Sequence, residues 1–184
     1  MKKVNFILII VIFGIKLSIS QTYSAKLAID SISIAELKAG DKVTVPIKLL
    51  EKSGGVIVGF QFFIEFDHSL FTWMGTSSNP LNGVKNINEN MPYNSNDWLF
   101  NDNGNQMVAL WLPTDMEVDI KEGDVFFEYI FTYNGNYPTD KETLFSWGTF
   151  NEQKEGRIVR GKTEMYSEKL DLYKLSFSDG VVSN

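Results

Sequence analysis

Residues 59–71 read GFQFFIEFDHSLF, with apolar side chains at nearly every position before an Asp-His-Ser turn ends the run. Successive side chains of an extended strand point to opposite faces, so residues of one parity share a face. One face is entirely apolar and is predicted to enter the core: Val58, Phe60, Phe62, Ile64 and Phe66. The opposite face carries Gln61, Phe63 and Glu65. The run therefore predicts a core strand with a single large apolar side chain, Phe63, on its outer face.

Short apolar runs of this kind recur along the chain and are separated by turns rich in Gly, Asn and Asp. Asn103-Gly104 between two of them is a strong hairpin signal. Residues 75–97 show no apolar period and are expected to form a long loop. The pattern indicates an all-β domain, a nine-stranded jelly-roll β-sandwich of two packed antiparallel sheets. Its strands are predicted at residues 27–34, 43–49, 58–66, 70–74, 98–101, 106–112, 125–133, 144–150 and within 172–182.

The N-terminus has the pattern of a secretory signal peptide. Two lysines precede an apolar stretch at residues 6–15, and Ser18 and Ser20 supply small side chains before the predicted cleavage site. The stretch is shorter than the ~20 apolar residues of a spanning helix, so no membrane span is expected after cleavage. We expect a secreted protein of the bacterial periplasm, cell surface or medium, with a signal peptide at 1–20, a short lead at 21–25 and one domain at 26–184.

Composition excludes several classes of function. The chain has 23 acidic and 17 basic residues and a net charge of −6, which opposes binding to nucleic acids and to anionic lipid. It has no cysteine, so it forms no disulfide and offers no thiol nucleophile. His68 is the only histidine and follows Asp67 in a polar turn, which leaves no residues for a zinc site. We therefore expect a domain held together by packing and without catalytic activity.

The order of several segments resembles the cohesin family. Residues 39–47, AGDKVTVPI, are similar to the family pattern G-D-x-V-x-V-P-V, with Ile47 in place of Val. Residues 58–67, VGFQFFIEFD, are similar to the pattern G-F-x-F-x-ϕ-x-Y-D, with Phe66 in place of Tyr. A Gly-Asp turn before residues 127–131 and the closing FSDGVV at residues 177–182 complete the resemblance, which covers nearly the whole predicted mature chain.

The resemblance implies a non-catalytic module that binds a dockerin module through one sheet. Such modules gather secreted glycoside hydrolases or other exported proteins, so a role in polysaccharide degradation is implied as well. The sheet would consist of the third, fifth, sixth and eighth strands. In this chain those are residues 58–66, 98–101, 106–112 and 144–150.

The residue pattern independently indicates a protein-binding face. If Met107, Ala109 and Trp111 point inward, Val108 and Leu110 point outward, on a strand that the resemblance puts beside Phe63. A small apolar patch with a polar rim is typical of a protein interface. Periodicity also allows the opposite phase, or coverage of the patch by residues 75–97. The predicted face consists of Gln61, Phe63, Glu65, Gln106, Val108 and Leu110.

A carbohydrate-binding module is the alternative. Sandwich domains bind polysaccharides through a platform of exposed Trp or Tyr rings, which offer flat apolar area at little entropic cost. Tyr93, Trp98 and Tyr137 border predicted loops and are the candidates for such a platform.

Carboxylates are the remaining candidates for chemistry. Asp115, Glu117 and Asp119 crowd one segment and offer the oxygen ligands that calcium prefers. Two carboxylates of this segment could also act as an acid–base pair. Their alternation before the turn at Gly123 is more simply explained as a solvated loop, so we expect no required cofactor.

Overall fold

Two β-sheets make up most of the chain that the computed structural model describes, which comprises residues 22–75, 83–85, 98–102, 106–111, 120–137, 143–154 and 157–183. The strands are β1 (Ser24–Ile29), β2 (Ile32–Ser33), β3 (Lys42–Ser53), β4 (Ile57–Glu65), β5 (Phe71–Trp73), β6 (Val84–Lys85), β7 (Trp98–Asp102), β8 (Gln106–Trp111), β9 (Val125–Tyr133), β10 (Thr143–Trp147), β11 (Thr149–Lys154), β12 (Arg157–Lys162), β13 (Glu164–Ser167), β14 (Lys174–Ser178) and β15 (Gly180–Ser183).

The strands divide between two large sheets and one hairpin. The first sheet has the order β14-β1-β3-β9-β5, and β6 also pairs with β9. The second has the order β2-β15-β10-β4-β8-β7, and β13 also pairs with β4. Strands β11 and β12 pair only with each other. The all-β class and the two packed sheets are confirmed.

Aromatic side chains from both sheets fill the space between them. Phe60 and Phe62 of β4 stack with their ring centroids 4.2 Å apart, and each meets Phe126 of β9 edge to face at 5.2 Å. The register between β3 and β9 shifts next to Phe126, so Phe126 and Phe127 are both fully buried although they are neighbours in sequence. Core packing of this kind holds the domain together without disulfides.

The two terminal segments each contribute to both sheets. β1 pairs with β3 and β14 in the first sheet, and β2 pairs with β15 in the second. At the other end of the chain, Asp179 separates β14 in the first sheet from β15 in the second. The change of apolar phase between Ile29 and Ile32 therefore marks a crossing between sheets.

All nine predicted strand regions contain strand, but the strand count of nine is too low. The described residues contain 15 strand segments, because both terminal regions and the region at residues 144–150 are each divided in two and β6, β12 and β13 were not predicted. The predicted strand at residues 144–150 is interrupted at Gly148, where β10 ends and β11 leaves the sheet. Most of the predicted loop at residues 75–97 lies outside the described residues.

The predicted signal peptide lies outside the described residues. The first strand begins at Ser24, and Tyr23 is buried against the core, so the sheet begins inside the segment expected to be a short lead. Within the described ranges, the structure contains no helix that meets the length and hydropathy of a membrane span.

Candidate binding face

Strands β4 and β8 pair in a register that brings the six predicted face residues together. The cross-strand partners are Gln61 with Leu110, Phe63 with Val108, and Glu65 with Gln106. The alternate residues of β8, Met107, Ala109 and Trp111, are buried in the core. Of the two phases that periodicity allowed, the structure has the one in which Val108 and Leu110 lie on the outer face of the sheet, beside Phe63.

The four strands that the resemblance assigned to the binding sheet are neighbours. β10, β4, β8 and β7 follow one another in the second sheet, and β7 and β8 form the antiparallel hairpin that Asn103-Gly104 predicted. Side-chain positions on β7 and the turn itself lie outside what the structure describes. The outer surface of β4 and β8 is therefore the part of this sheet that can be examined residue by residue.

Exposure across the six residues is uneven. Glu65 is exposed, and Gln61, Val108 and Leu110 are half-buried. Phe63 is only 6% exposed and Gln106 only 7%, although both lie on the outer face. The sequence left open whether this patch is exposed or covered, and Phe63 is not part of its accessible surface. The accessible apolar surface is instead supplied by Val108 and Leu110.

Phe63 lies where the edge of β4 is interrupted. β10 and β13 run along the same edge of β4, with Trp147 opposite Ile64 and Glu164 opposite Gln61. In the gap between these strands, the Gly148 N–H donates to the Phe63 carbonyl at 2.8 Å, and the Phe63 N–H donates to Thr163 Oγ1 at 3.0 Å. The hairpin of β11 and β12 is inserted between these two contacts. The backbone of Phe63 thus anchors both ends of the insertion.

A polar network closes the other end of the face. Gln106 Nε2 donates to Glu65 Oε1 at 2.6 Å and to the Thr149 carbonyl at 3.0 Å. A Cβ atom on Gly148 would lie 2.8 Å from Gln106 Nε2 and also 2.8 Å from Glu65 Oε1. Glycine at this position therefore allows the amide to bridge the sheet and the start of the hairpin.

An apolar groove continues the face beyond Leu110. It is lined by Val58, Gln61, Leu110, Tyr166 and Leu170. The Tyr166 hydroxyl donates to Glu164 Oε2 at 2.7 Å, which holds the ring in place beside the groove. This hydrogen bond, together with burial and the charge of Glu164, raises the pKa of Tyr166. The hydroxyl therefore stays protonated at neutral pH and keeps its role as donor.

Three groove residues, Val58, Tyr166 and Leu170, were absent from the predicted face. The register between β4 and β13 shifts between Tyr166 and Ser167, and the extra residue on β4 is Val58. Tyr166 and Leu170 lie between residues 150 and 172, where no strand was predicted. The available signal was the apolar Leu170 within the polar sequence SEKLD.

The residues of the glycan-binding alternative are not brought into a platform by the described structure. The Tyr137 hydroxyl donates to the Val182 carbonyl at 3.0 Å, and its half-buried ring packs against the core. Trp98 lies in β7 opposite Trp111, and the orientation of its side chain is outside the described structure. Tyr93 lies outside the described residues.

Two carboxylates close to the predicted calcium segment, Glu122 and Asp124, accept backbone hydrogen bonds. Glu122 Oε1 accepts from the Lys52 N–H at 3.0 Å, and Asp124 Oδ2 accepts from the Lys121 N–H at 2.9 Å. Asp115, Glu117 and Asp119, the weakly predicted calcium ligands, lie outside the described residues. Among the residues that are described, no group of three or more acidic or histidine side chains is placed to hold a metal ion.

His68 is exposed, with the centroid of its ring 4.0 Å from that of Phe66.

Comparison with solved structures identifies the fold. One similar structure is the sixth cohesin of scaffoldin B from Acetivibrio cellulolyticus in complex with a mutant dockerin, with a TM-score of 0.64 and 15% identity over 87% of this chain and 98% of that one. Another is a type I cohesin–dockerin complex from Clostridium thermocellum, with a TM-score of 0.64 and 16% identity over the same shares of the two chains, 87% and 98%. A non-cellulosomal cohesin from the hyperthermophilic archaeon Archaeoglobus fulgidus has a TM-score of 0.54 and 11% identity over 86% of this chain and 89% of that one.

No protein-family model and no curated protein sequence matches the chain. At the identities of the structural matches, the likeness establishes the fold. The chain therefore has a cohesin-like β-sandwich, as its sequence resemblance predicted.

Proposed function

We propose that this chain is a secreted, non-catalytic binding module that takes a dockerin-like protein module on the outer face of β4 and β8. The observation that carries the proposal is the register of these two strands, which gathers Gln61, Val108 and Leu110 on one accessible surface. The structural similarity to cohesins, two of them in complexes with dockerins, supports the partner class.

The face has the composition of a protein interface. Apolar Val108 and Leu110 are half-buried at its centre, and Gln61 and Glu65 supply a polar rim. Interfaces combine an apolar centre with a hydrogen-bonding rim, since burial drives association and polar groups fix the register. The fixed Gln106–Glu65 contact holds one end of the rim in place before binding, which lowers the entropic cost of association.

The cellular role follows from the partner class. We infer that the module is exported through its N-terminal signal peptide and gathers exported proteins, with polysaccharide-degrading enzymes as the expected cargo. The support for export is the sequence pattern of residues 1–20. The glycan-binding alternative rests on Tyr93 and Trp98 alone, because the Tyr137 hydroxyl bonds the backbone.

A charge placed at the centre of the face tests the proposal. The mature domain would be titrated calorimetrically with recombinant dockerin modules encoded by exported proteins of the same organism. Val108→Arg is expected to raise the Kd about 100-fold or more, because it places an unpaired cation in an apolar contact. The matched control is Thr44→Arg, which puts the same charge on an exposed position of β3 in the other sheet.

Two results would overturn the proposal. One is the absence of binding to every dockerin module of the panel. The other is an equal loss of affinity in the two arginine variants. Affinity electrophoresis of the same proteins against plant and algal polysaccharides tests the alternative, in which retardation would persist in Val108→Arg.

A further inference from the structure

Leu170 combines a disfavoured backbone conformation with an exposed apolar side chain. Its φ of 60° makes it the only non-glycine residue with positive φ among those described, and its side chain is 74% exposed. Left-handed backbone is disfavoured for residues with a Cβ, and glycine or asparagine normally occupies such turn positions. A bulky apolar residue in strained, exposed backbone is a feature typical of functional positions.

The turn that carries Leu170 is firmly built. Ser167 is fully buried, and its Oγ accepts from the N–H groups of Lys169 at 3.3 Å and Asp171 at 3.1 Å. The backbone N–H of Leu170 donates to the Ser167 carbonyl at 2.8 Å, and the Ser167 N–H donates to the Asp171 carbonyl at 3.0 Å. These bonds hold the backbone of the turn in place, so its conformation does not depend on contacts of the leucine side chain.

The leucine is presented beside the candidate face. Leu170 lines the groove with Val58, Tyr166 and Leu110, and Gln61 and Leu110 belong to both the groove and the face. None of the residues that line the groove is charged, and the neighbouring Glu164 accepts from Tyr166 and lies 3.4 Å from Lys162 Nζ. A groove without an unpaired charge favours an aliphatic side chain as its occupant.

We propose that Leu170 is a contact residue of the binding face that contributes to its affinity by packing against an aliphatic side chain that the dockerin-like partner inserts into this groove. The inference rests on the proposed function and extends its contact surface from β4 and β8 to the turn after β13. We assign this occupant because the groove is continuous with the face. Gln61 and Leu110 belong to both, so a partner bound on the face also reaches the groove.

Leu170→Asn provides the test, because asparagine tolerates left-handed backbone but removes the aliphatic surface. The expected result is an unchanged or higher Tm together with a Kd raised about tenfold or more for each dockerin module that binds the wild type. Leu170→Gly is a second variant with the same expectation for Kd. The control is Leu172→Asn, since Leu172 is also exposed, at 49%, but does not line the groove, and its Kd should stay within about twofold.

The outcomes separate this inference from the proposed function. If Val108→Arg abolishes binding while both Leu170 variants bind like the wild type, the inference is wrong and the proposed function stands. If no module of the panel binds the wild type, both are wrong. A marked fall in the Tm of Leu170→Asn would assign Leu170 to the fold instead. A wild type that sediments as a dimer, with monomeric Leu170 variants, would assign the residue to self-association. Either result overturns the inference.

Discussion

Phe63 and Val108 lie directly opposite each other on β4 and β8, yet Phe63 is almost fully buried while Val108 remains half-exposed. The two residues also differ in the elements that lie next to them on the sheet. The insertion of β11 and β12 is anchored at the backbone of Phe63, whereas Val108 lies one strand farther from it. Phe63 is therefore expected to contribute mainly to the stability of the domain, whereas the side chain of Val108 stays accessible for the proposed contact.

This division predicts opposite effects of alanine at the two positions. Phe63→Ala should lower the free energy of unfolding by about 3 kcal/mol, because it removes a buried aromatic side chain. Val108→Ala should lower it by about 1 kcal/mol or less, since half of the side chain is in contact with water in the free domain. Urea denaturation of the two variants provides the measurement. Equal losses would show that Phe63 is not covered in solution.

The second prediction concerns Gly148. Gly148→Ala should destabilise the domain by about 2 kcal/mol, because the added Cβ would come within 2.8 Å of Gln106 Nε2 and Glu65 Oε1. The same change in a Gln106→Ala background should cost less, since one of the two clashing groups is then absent. Urea denaturation of the wild type, the two single variants and the double variant gives the coupling energy. Additive losses would contradict the contact.

The third prediction concerns stability at high pH. The Tyr173 hydroxyl donates to the Gly55 carbonyl at 2.7 Å, and burial, then the charge of Glu168, then Tyr23 raise its pKa from 10.0 to about 12. Because the folded-state pKa lies above the unfolded one, folding favours the protonated form. This contribution is fully present below pH 10 and is lost as the pH rises toward 12.

Tyr173→Phe isolates that contribution. The variant should lose about 1 kcal/mol of stability at neutral pH with the hydrogen bond to Gly55. Between pH 10 and 12, its unfolding free energy should fall less steeply than that of the wild type. Denaturation midpoints across this range, with tyrosinate absorbance to follow ionisation, supply both values. Parallel curves for the two proteins would contradict the assignment.

The fourth prediction concerns export. The full chain expressed in a bacterium should be released from the cytoplasm as a protein that begins at Gln21, which intact-mass spectrometry would detect. Ile9→Arg places a charge in the apolar stretch and should leave the precursor uncleaved in the cytoplasm. Cleavage at the same site in this variant would count against a signal peptide.

The core strands were predictable because their burial follows local alternation. β8 alternates between core and outer face, and β4 does so from Phe60 onward except that Phe63 is buried, so the sequence identified both strands and the six residues on their outer face. Proline lacks the N–H that an interior strand uses for pairing, yet Pro46 lies in the interior strand β3. Its carbonyl accepts from Asp30 just beyond the end of β1, so the missing N–H would also face the end of β1.

The remaining features depend on contacts between segments distant in sequence. The hairpin of β11 and β12 was missed because residues 151–162 are mostly charged or polar and show no regular alternation. The backbone of Phe63 is bonded by Thr163, which lies 100 residues away in sequence at the end of that hairpin. The exposed position of Leu170 depends on hydrogen bonds of Ser167 that no apolar pattern reveals.

The parallel pairing of the first strands with the last sets the order of events during biosynthesis. β14 aligns with β1, and β15 lies between β2 and β10, so neither sheet is complete until residues 174–183 have been synthesised. Contacts of such long sequence separation form late, because the intervening chain must first be closed into a loop. A nascent chain of this topology therefore completes its fold only when synthesis is nearly finished.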